Sequence, residues 1–371
     1  MSYLFATSHR IDTKEGIQDI LVSAVEANAS DIIFRTGDPV WIRVHGAWHP
    51  CTQKILSDSE MVTIANIIGS SNDIATRILS GTDLDFAYEV RVSREHKQRF
   101  RVNGTACKYG MASGISMTLR TIPEHPPELE TLGLPQDMVD AFFPKYGLVL
   151  VTGPVGSGKT TLLFSVLRRI AESSPSHIIT YEAPIEFDIT SLPNRIGPVE
   201  QTEIGPHLKD FNLAPRNSLR RAGDVVLFGE SRDPETIRAM SIEAETGVAV
   251  YSTVHTNSVS ETLSRMVREF PQNERDGMMA SLISAMRLIV HQRLLKRPGG
   301  AGRVAVREWL VFDDEVRSML ENERLENLIP ATKKILDVRK TRLIDDLTVK
   351  FEQGIVDKKE YDDFKLALGE K

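Results

Sequence analysis

GLVLVTGPVGSGKT, residues 147–160, starts as an apolar run and continues into a glycine-rich loop that ends in lysine and threonine. Residues 153–160 match the phosphate-binding pattern GxxxxGK[ST], and the run 148–151 predicts the buried strand that precedes such a loop. Glycines let the backbone wrap around a phosphate, while the loop N–H groups and the start of a helix face the anion. With a helix predicted over 159–171, this stretch indicates a nucleoside triphosphate site in an α/β domain.

The loop residues have distinct expected roles toward nucleotide and metal. Lys159 is expected to reach the β- and γ-phosphates of ATP, and the Thr160 hydroxyl to bind Mg²⁺. The other cofactor contacts are expected from the loop and the first helical turn: Gly153, Val155, Gly156, Ser157, Gly158 and Thr161.

After the loop, apolar strands alternate with helices. Strands are predicted over 177–181, 224–229 and 248–253, and helices over 234–245 and 258–269. Such an alternation is typical of a parallel sheet that is covered by helices on both faces.

The rest of the chain divides around this domain. Residues 1–121 combine two helical segments with short strand-like pieces and predict a smaller α+β domain. Residues 122–136 carry prolines at 123, 126 and 127 and predict a linker, because proline prevents a continuous helix. The ATPase domain is expected over 137–324. Residues 325–371 are rich in charge and leucine and predict a solvated helical tail.

Two strand ends carry further candidate catalytic groups. Glu230 follows the apolar strand 224–229, where a carboxylate can orient the attacking water or act through Mg²⁺. His255 follows the strand 248–253 and can sense phosphate charge, although a hydrogen-bonded loop histidine fits the same spacing. Glu186 lies in the acidic segment 181–187, which by spacing alone fits a capped turn equally well.

Arginines recur in the N-terminal part of the chain. Arg99 and Arg101 alternate along one predicted strand and therefore share a face, and Arg120 follows on another strand. Guanidinium groups in this arrangement pair with carboxylates or phosphates. Both a nucleotide contact and a salt-bridged sheet face are consistent with the pattern.

Composition and charge narrow the function classes. The 371 residues carry 45 basic and 51 acidic side chains, a net charge of −6, which disfavours nucleic acid as the main partner. The two cysteines, Cys51 and Cys107, are too few for a tetracysteine zinc module or a disulfide framework. The sequence has no predicted signal peptide or membrane span, so a cytoplasmic protein is expected.

Together the motifs resemble the secretion ATPases of the PilT/VirB11-like (type II/IV) superfamily. The resemblance covers about residues 29–297 and rests on these segments: Asp85-Phe86, Arg99–Asn103, Arg120–Pro123, Gly147–Thr161, Pro184–Glu186, Gly229–Thr236, Glu245–Gly247 and His255-Thr256.

The resemblance implies a fold and a mechanism. Its members are hexameric rings in which a PAS-like N-terminal domain precedes a RecA-like ATPase domain, with nucleotide between the two. It implies that Glu186 is a catalytic glutamate, that His255 is the histidine of a family motif, and that Arg101 and Arg120 approach the phosphates. Domain motion driven by ATP hydrolysis then powers pilus dynamics or export.

Several positions differ from the pilus-retraction pattern. Ala183 stands where aspartate is usual, Val248 where a histidine often follows Glu-Thr-Gly, and Thr202 where arginine is usual. The zinc module of the extension ATPases is absent. Residues 29–32, 41–46 and the charged tail look more like the DotB/TraJ branch, which powers type IVB secretion and conjugation systems.

The expected function is therefore a hexameric motor that is recruited peripherally to the inner membrane by secretion-channel components, with no direct nucleic-acid partner. A type IV pilus retraction ATPase is the alternative. A nucleic-acid motor and a nucleotide-gated scaffold with negligible turnover are further alternatives.

Overall fold

A computed structural model describes residues 3–5, 9–93, 97–122, 125–231, 233–300 and 302–369. It divides into an N-terminal unit, Met1–His125 with Pro184–Phe187, and a C-terminal unit, Pro126–Ala183 with Asp188–Lys371. The domain boundaries expected from the sequence stay predictions. Pro123 and Arg232, which belong to two of the quoted family segments, lie outside the described residues.

The N-terminal unit contains a six-stranded antiparallel sheet with the order β3-β2-β1-β6-β5-β4. Its strands are β1 Asp31–Arg35, β2 Trp41–Val44, β3 Ala47–Pro50, β4 Leu84–Arg91, β5 Lys97–Tyr109 and β6 Ala112–Ile122. Its helices are α1 Lys14–Glu26, α2 Asp58–Ile68 and α3 Ile74–Leu79.

Alternation along β5 separates the two faces of this sheet. Phe100 and Val102 are buried in the core that the helices cover, whereas Arg99 and Arg101 lie on the opposite face. Thr13 caps α1, as its sequence position predicts, by accepting a hydrogen bond from the amide of Gly16 at 3.1 Å. The α+β character predicted for this part of the chain is confirmed.

The C-terminal unit contains a seven-stranded sheet with the order β13-β12-β7-β11-β10-β8-β9. All neighbouring strands are parallel except β12 and β13. The strands are β7 Gly147–Thr152, β8 Ile178–Glu182, β9 Val199–Glu203, β10 Val225–Phe228, β11 Ala249–Val254, β12 Met286–Lys296 and β13 Arg303–Val311.

Ten helices of at least five residues accompany this sheet in the described part of the C-terminal unit. They are α4 Gln136–Ala141, α5 Lys159–Ser173, α6 Ala214–Ser218, α7 Pro234–Glu245, α8 Val259–Arg268, α9 Arg275–Ala285, α10 Asp314–Glu321, α11 Leu328–Arg339, α12 Leu343–Glu352 and α13 Lys358–Ala367. Within the described ranges, no helix is both long enough and apolar enough to cross a bilayer.

The parallel sheet is buried because its central strands are apolar along their whole length. Every residue of β7, β10 and β11 is buried, which is the pattern expected for strands covered on both faces. The carboxyl ends of β7, β10 and β11 lie side by side, and this edge carries the candidate site.

The C-terminal tail is more integrated than the expectation of a solvated extension. Leu343 and Leu347 of α12 are buried against Val304 and Val306 of β13. The tail is helical as predicted, but its apolar positions cover the antiparallel edge of the sheet. The expectation was wrong on burial because β13, the strand against which α12 packs, was not predicted from the sequence.

Candidate nucleotide-binding site

The glycine-rich loop connects β7 to α5 and requires glycine at several positions. Gly153, Gly156 and Gly158 have φ values of +141°, +76° and +81°, which L side chains rarely adopt. A Cβ on Gly153 would lie 2.4 Å from the carbonyl oxygen of Gln292, and one on Gly158 would lie 3.0 Å from its side-chain nitrogen. The loop therefore keeps its backbone close to β12.

Lys159 is buried at the base of the loop. Its Nζ donates to the carbonyl oxygens of Gly153 at 2.8 Å and Pro154 at 3.0 Å. The Ser157 Oγ is buried and has no hydrogen-bond partner among the described residues. An ammonium group, a free hydroxyl and a glycine-lined loop at a helix N-terminus fit the phosphates of a nucleotide.

Thr160 and Thr161 occupy the first turn of α5 and are partly exposed, whereas Val155 at the rim of the loop is exposed. A hydroxyl in this position suits a hard cation such as Mg²⁺. The roles assigned to these residues from the sequence stay predictions.

Glu230 and His255 come together at the neighbouring strand ends. The Glu230 Oε1 lies 3.3 Å from the His255 Nε2. The backbone between them is held by the Thr253 hydroxyl, which donates to the Gly229 carbonyl at 2.7 Å, and by the Ser231 amide, which donates to the Thr253 carbonyl at 3.0 Å. The loop that carries Glu230 is thus fixed to the end of β11.

Glu186 lies in the short segment that belongs to the N-terminal unit. Its Oε1 is 3.7 Å from the Arg101 Nη1, and the Arg99 Nη2 donates to the Ile185 carbonyl at 3.4 Å. Arg120 instead donates to the buried Asp31 at 2.8 Å. The sequence-predicted residues therefore fall into two groups: Lys159, Thr160, Glu230 and His255 in the C-terminal unit, and Arg101, Arg120 and Glu186 in the N-terminal unit.

The segment 181–187 divides between two environments. Glu182 is buried and accepts hydrogen bonds from Thr180 at 2.6 Å and Gln201 at 2.9 Å. Glu186 remains partly exposed beside Arg101. The two acids are thus distinguished by burial, which the sequence did not indicate.

A family model for the type II/IV secretion system protein matches residues 10–363. The chain belongs to this family. Among solved structures, the ATPase DotB of Legionella pneumophila is similar, with a TM-score of 0.84 and 39% identity over 95% of each chain. The pilus retraction motor PilT with bound ADP has a TM-score of 0.78 and 30% identity, over 94% of this chain and 96% of that one.

Relatives found by sequence comparison belong to the same family of ATPases. The type IV pilus retraction ATPase PilT of Pseudomonas aeruginosa is 32% identical, over 85% of this chain and 88% of its own length. The chain is thus a member of the secretion and pilus ATPase family that includes DotB and PilT, as its motifs predict, and the predicted α/β class is confirmed.

A group of buried polar residues next to the loop was not predicted from the sequence. His291, Gln292 and Arg307 lie on β12 and β13, and burial lowers the pKa of His291 to about 4. The His291 Nδ1 is 3.1 Å from the hydroxyl of Thr152, the last residue of β7. Polar residues at 291–293, in the middle of an apolar run, were the available signal.

Proposed function

We propose that the chain is a Mg²⁺-dependent ATPase that powers a type IVB secretion or conjugation apparatus. The observation that carries this proposal is the similarity to DotB, at 39% identity over 95% of both chains. The comparison with the PilT structure gives both a lower identity, 30%, and a lower TM-score, 0.78.

The site residues have separate roles in this proposal. Lys159 and the loop amides bind the phosphates. The Lys159 Nζ donates to carbonyl oxygens of the loop, so the ammonium group is held at the loop itself. Thr160 and Glu230 hold Mg²⁺, which supplies electrostatic stabilisation of the transferred phosphoryl group. Glu230 also orients the attacking water, and His255 positions Glu230 and senses the γ-phosphate.

The N-terminal unit supplies further charged groups. Arg101 and Arg120 contact phosphate oxygens, and Glu186, which pairs with Arg101, is the second catalytic acid. A PAS-like N-terminal domain and a RecA-like domain over 137–324 then move relative to each other as ATP is hydrolysed. The working form is a homohexamer, located in the cytoplasm and bound peripherally to membrane-embedded channel components.

The enzymatic part is tested by Lys159→Ala. Removal of the ammonium group should reduce ATP hydrolysis about a hundredfold or more, because the ammonium stabilises the negative charge of the transferred phosphoryl group. Lys145→Ala, at an exposed lysine just before β7, is the matched control and should hydrolyse ATP at the wild-type rate. Full activity of Lys159→Ala would refute the assignment, and negligible wild-type turnover would favour the nucleotide-gated scaffold.

A type IV pilus retraction ATPase is the second candidate function. It is favoured by the curated relatives, including a twitching motility protein of Neisseria gonorrhoeae that is 35% identical over 77% of this chain. Cross-linking in the native host followed by mass spectrometry separates the two machines. Secretion-channel components support the first proposal, and pilins or a pilus platform support the second.

A further inference from the structure

The amide of Gln292 connects β12 to the phosphate-binding loop. The side chain is 3% exposed, and its Nε2 donates to the Ser157 carbonyl at 2.7 Å. The backbone of the same residue restricts Gly153, where any Cβ would approach the Gln292 carbonyl oxygen to 2.4 Å. One residue of β12 therefore contacts the loop both near its start and near its end.

The hydrogen bond to Ser157 fixes the direction of a loop amide. In a trans peptide the carbonyl and the following N–H point in opposite directions. When Gln292 holds the Ser157 carbonyl, the Gly158 N–H must face the other side of the loop. Backbone N–H groups in such glycine-rich loops form the anion-binding concavity, so this bond orients one of the groups that bind phosphate.

Arg307 fixes which end of the Gln292 amide faces the loop. The Arg307 Nε donates to the Gln292 Oε1 at 2.7 Å. Since a guanidinium only donates, the amide oxygen must face Arg307 and the NH₂ group must face Ser157. The flipped amide would oppose two donors at one end and two acceptors at the other.

Arg307 is itself held by the C-terminal tail. Its backbone amide donates to the Asp346 Oδ2 at 2.7 Å, and the second oxygen of Asp346 accepts from Lys350 of the same helix. All three side chains are buried. Burial lowers the pKa of Arg307 to about 10, and the carboxylate of Asp346 opposes this shift. Asp346 therefore stabilises two buried cations at once.

We propose that Gln292 is a positioning residue of the phosphate-binding loop, and that Arg307 and Asp346 make helix α12 a support for that loop. This inference rests on the proposed ATP-binding function. It assigns the tail a role in nucleotide affinity, through a contiguous series of buried hydrogen bonds from Asp346 through Arg307 and Gln292 to Ser157.

Gln292→Glu is the decisive variant. It keeps the side-chain size and the acceptor for Arg307, but it replaces the donor to Ser157 with a carboxylate oxygen. The dissociation constant of a fluorescent ADP analogue and the KM for ATP should both rise about tenfold, with kcat nearly unchanged. The melting temperature should change little, because the ion pair with Arg307 retains the packing. Gln272→Glu, at an exposed glutamine in the same unit, is the control.

Asp346→Asn tests the remote end of the series. It should raise the same dissociation constant about threefold, whereas Asp363→Asn, at an exposed aspartate of α13, should not. If Gln292→Glu fails to fold, Gln292→Met provides the same test, since it also lacks the donor.

The outcomes separate this inference from the function on which it rests. Wild-type affinity in the folded Gln292 variant would overturn the inference alone, provided that Lys159→Ala has lost nucleotide binding. Equal binding by wild type and Lys159→Ala would instead overturn the proposed function.

Discussion

The Glu230 Oε1 lies 3.3 Å from the His255 Nε2, although 25 positions separate the two residues in the sequence. The contact follows from topology, because β10 and β11 are parallel neighbours and each residue follows the carboxyl end of its strand. The side chains are 23% and 38% exposed, so a ligand can reach the pair. A histidine beside the carboxylate restricts its orientation, which suits an acid that must hold water or Mg²⁺ in one position.

Glu230→Gln should abolish hydrolysis while leaving nucleotide binding intact. The amide is nearly isosteric but can neither accept a proton nor hold Mg²⁺ as a carboxylate does, and the loss of such a group costs about 10²- to 10⁴-fold in kcat. Steady-state hydrolysis and binding of a fluorescent ADP analogue measure the two effects. Glu235→Gln, at an exposed acid in the first turn of α7, is the control. Parallel loss of binding and hydrolysis would contradict this role.

His255→Gln should reduce kcat about tenfold, and its effect should depend on Glu230. If the imidazole acts by positioning the carboxylate, the double variant with Glu230→Gln should be no slower than Glu230→Gln alone. A double-mutant cycle in kcat measures this coupling. Additive losses would show that His255 acts on the nucleotide independently of Glu230.

Arg101→Ala should affect activity more than stability. The pair with Glu186 is half-exposed, at 43% and 36%, and exposed pairs contribute about 0–1 kcal/mol to folding. If the guanidinium contacts phosphate, the KM for ATP should rise about tenfold or more while the melting temperature stays within ~2 °C of wild type. Lys97 lies on the same strand as Arg101 and forms a comparable exposed pair with Glu89. Lys97→Ala removes this pair and should change neither the KM nor the melting temperature. An unchanged KM for Arg101→Ala would exclude the nucleotide contact and would mean that Arg101 serves only in a salt-bridged sheet face.

The elements that could be predicted most accurately are those whose sequence pattern is contiguous. The strand β7, the glycine loop and the start of α5 are contiguous, so one motif sets their order and spacing. Glu230 and His255 were each found because an apolar strand ends just before them. Their contact is a consequence of parallel strand pairing, which places such ends at one edge.

The sequence could not predict contacts between distant segments. Gln292 and Ser157 are 135 positions apart, and no sequence pattern around either residue predicts a contact with the other. Strands β12 and β13 were missed because polar residues at 291–293 and 307–308 interrupt their apolar runs. Except for Arg293, those side chains are buried, and they form hydrogen bonds with Thr152, with the loop, with the amide of Val259 and with one another. Without these strands, the tail could only be interpreted as solvated.

Glu243 makes the stability of the C-terminal unit depend on pH. The residue lies in α7 and is 2% exposed. Its Oε2 accepts from the Ser218 hydroxyl at 3.1 Å, whereas its Oε1 has no partner in the part of the chain that the structure describes. Burial raises the pKa to about 7 from 4.5. The native state then retains a proton that the unfolded chain has released, so stability falls as pH rises from about 4.5 to 7. The full cost is about 3 kcal/mol above that range.

Glu243→Gln should remove this pH dependence, because the amide carries no charge at any pH of the experiment. At about pH 8 the variant should melt ~5 °C or more above wild type, and the difference should shrink at about pH 5, where native Glu243 is protonated. Thermal unfolding followed by circular dichroism at the two pH values measures both differences. Glu245→Gln, at an exposed acid two positions along the helix, removes one charge without burial and should shift the melting temperature by less than ~1 °C. A Glu243→Gln protein with the same pH profile as wild type would mean that Glu243 is ionised at no cost in the native state.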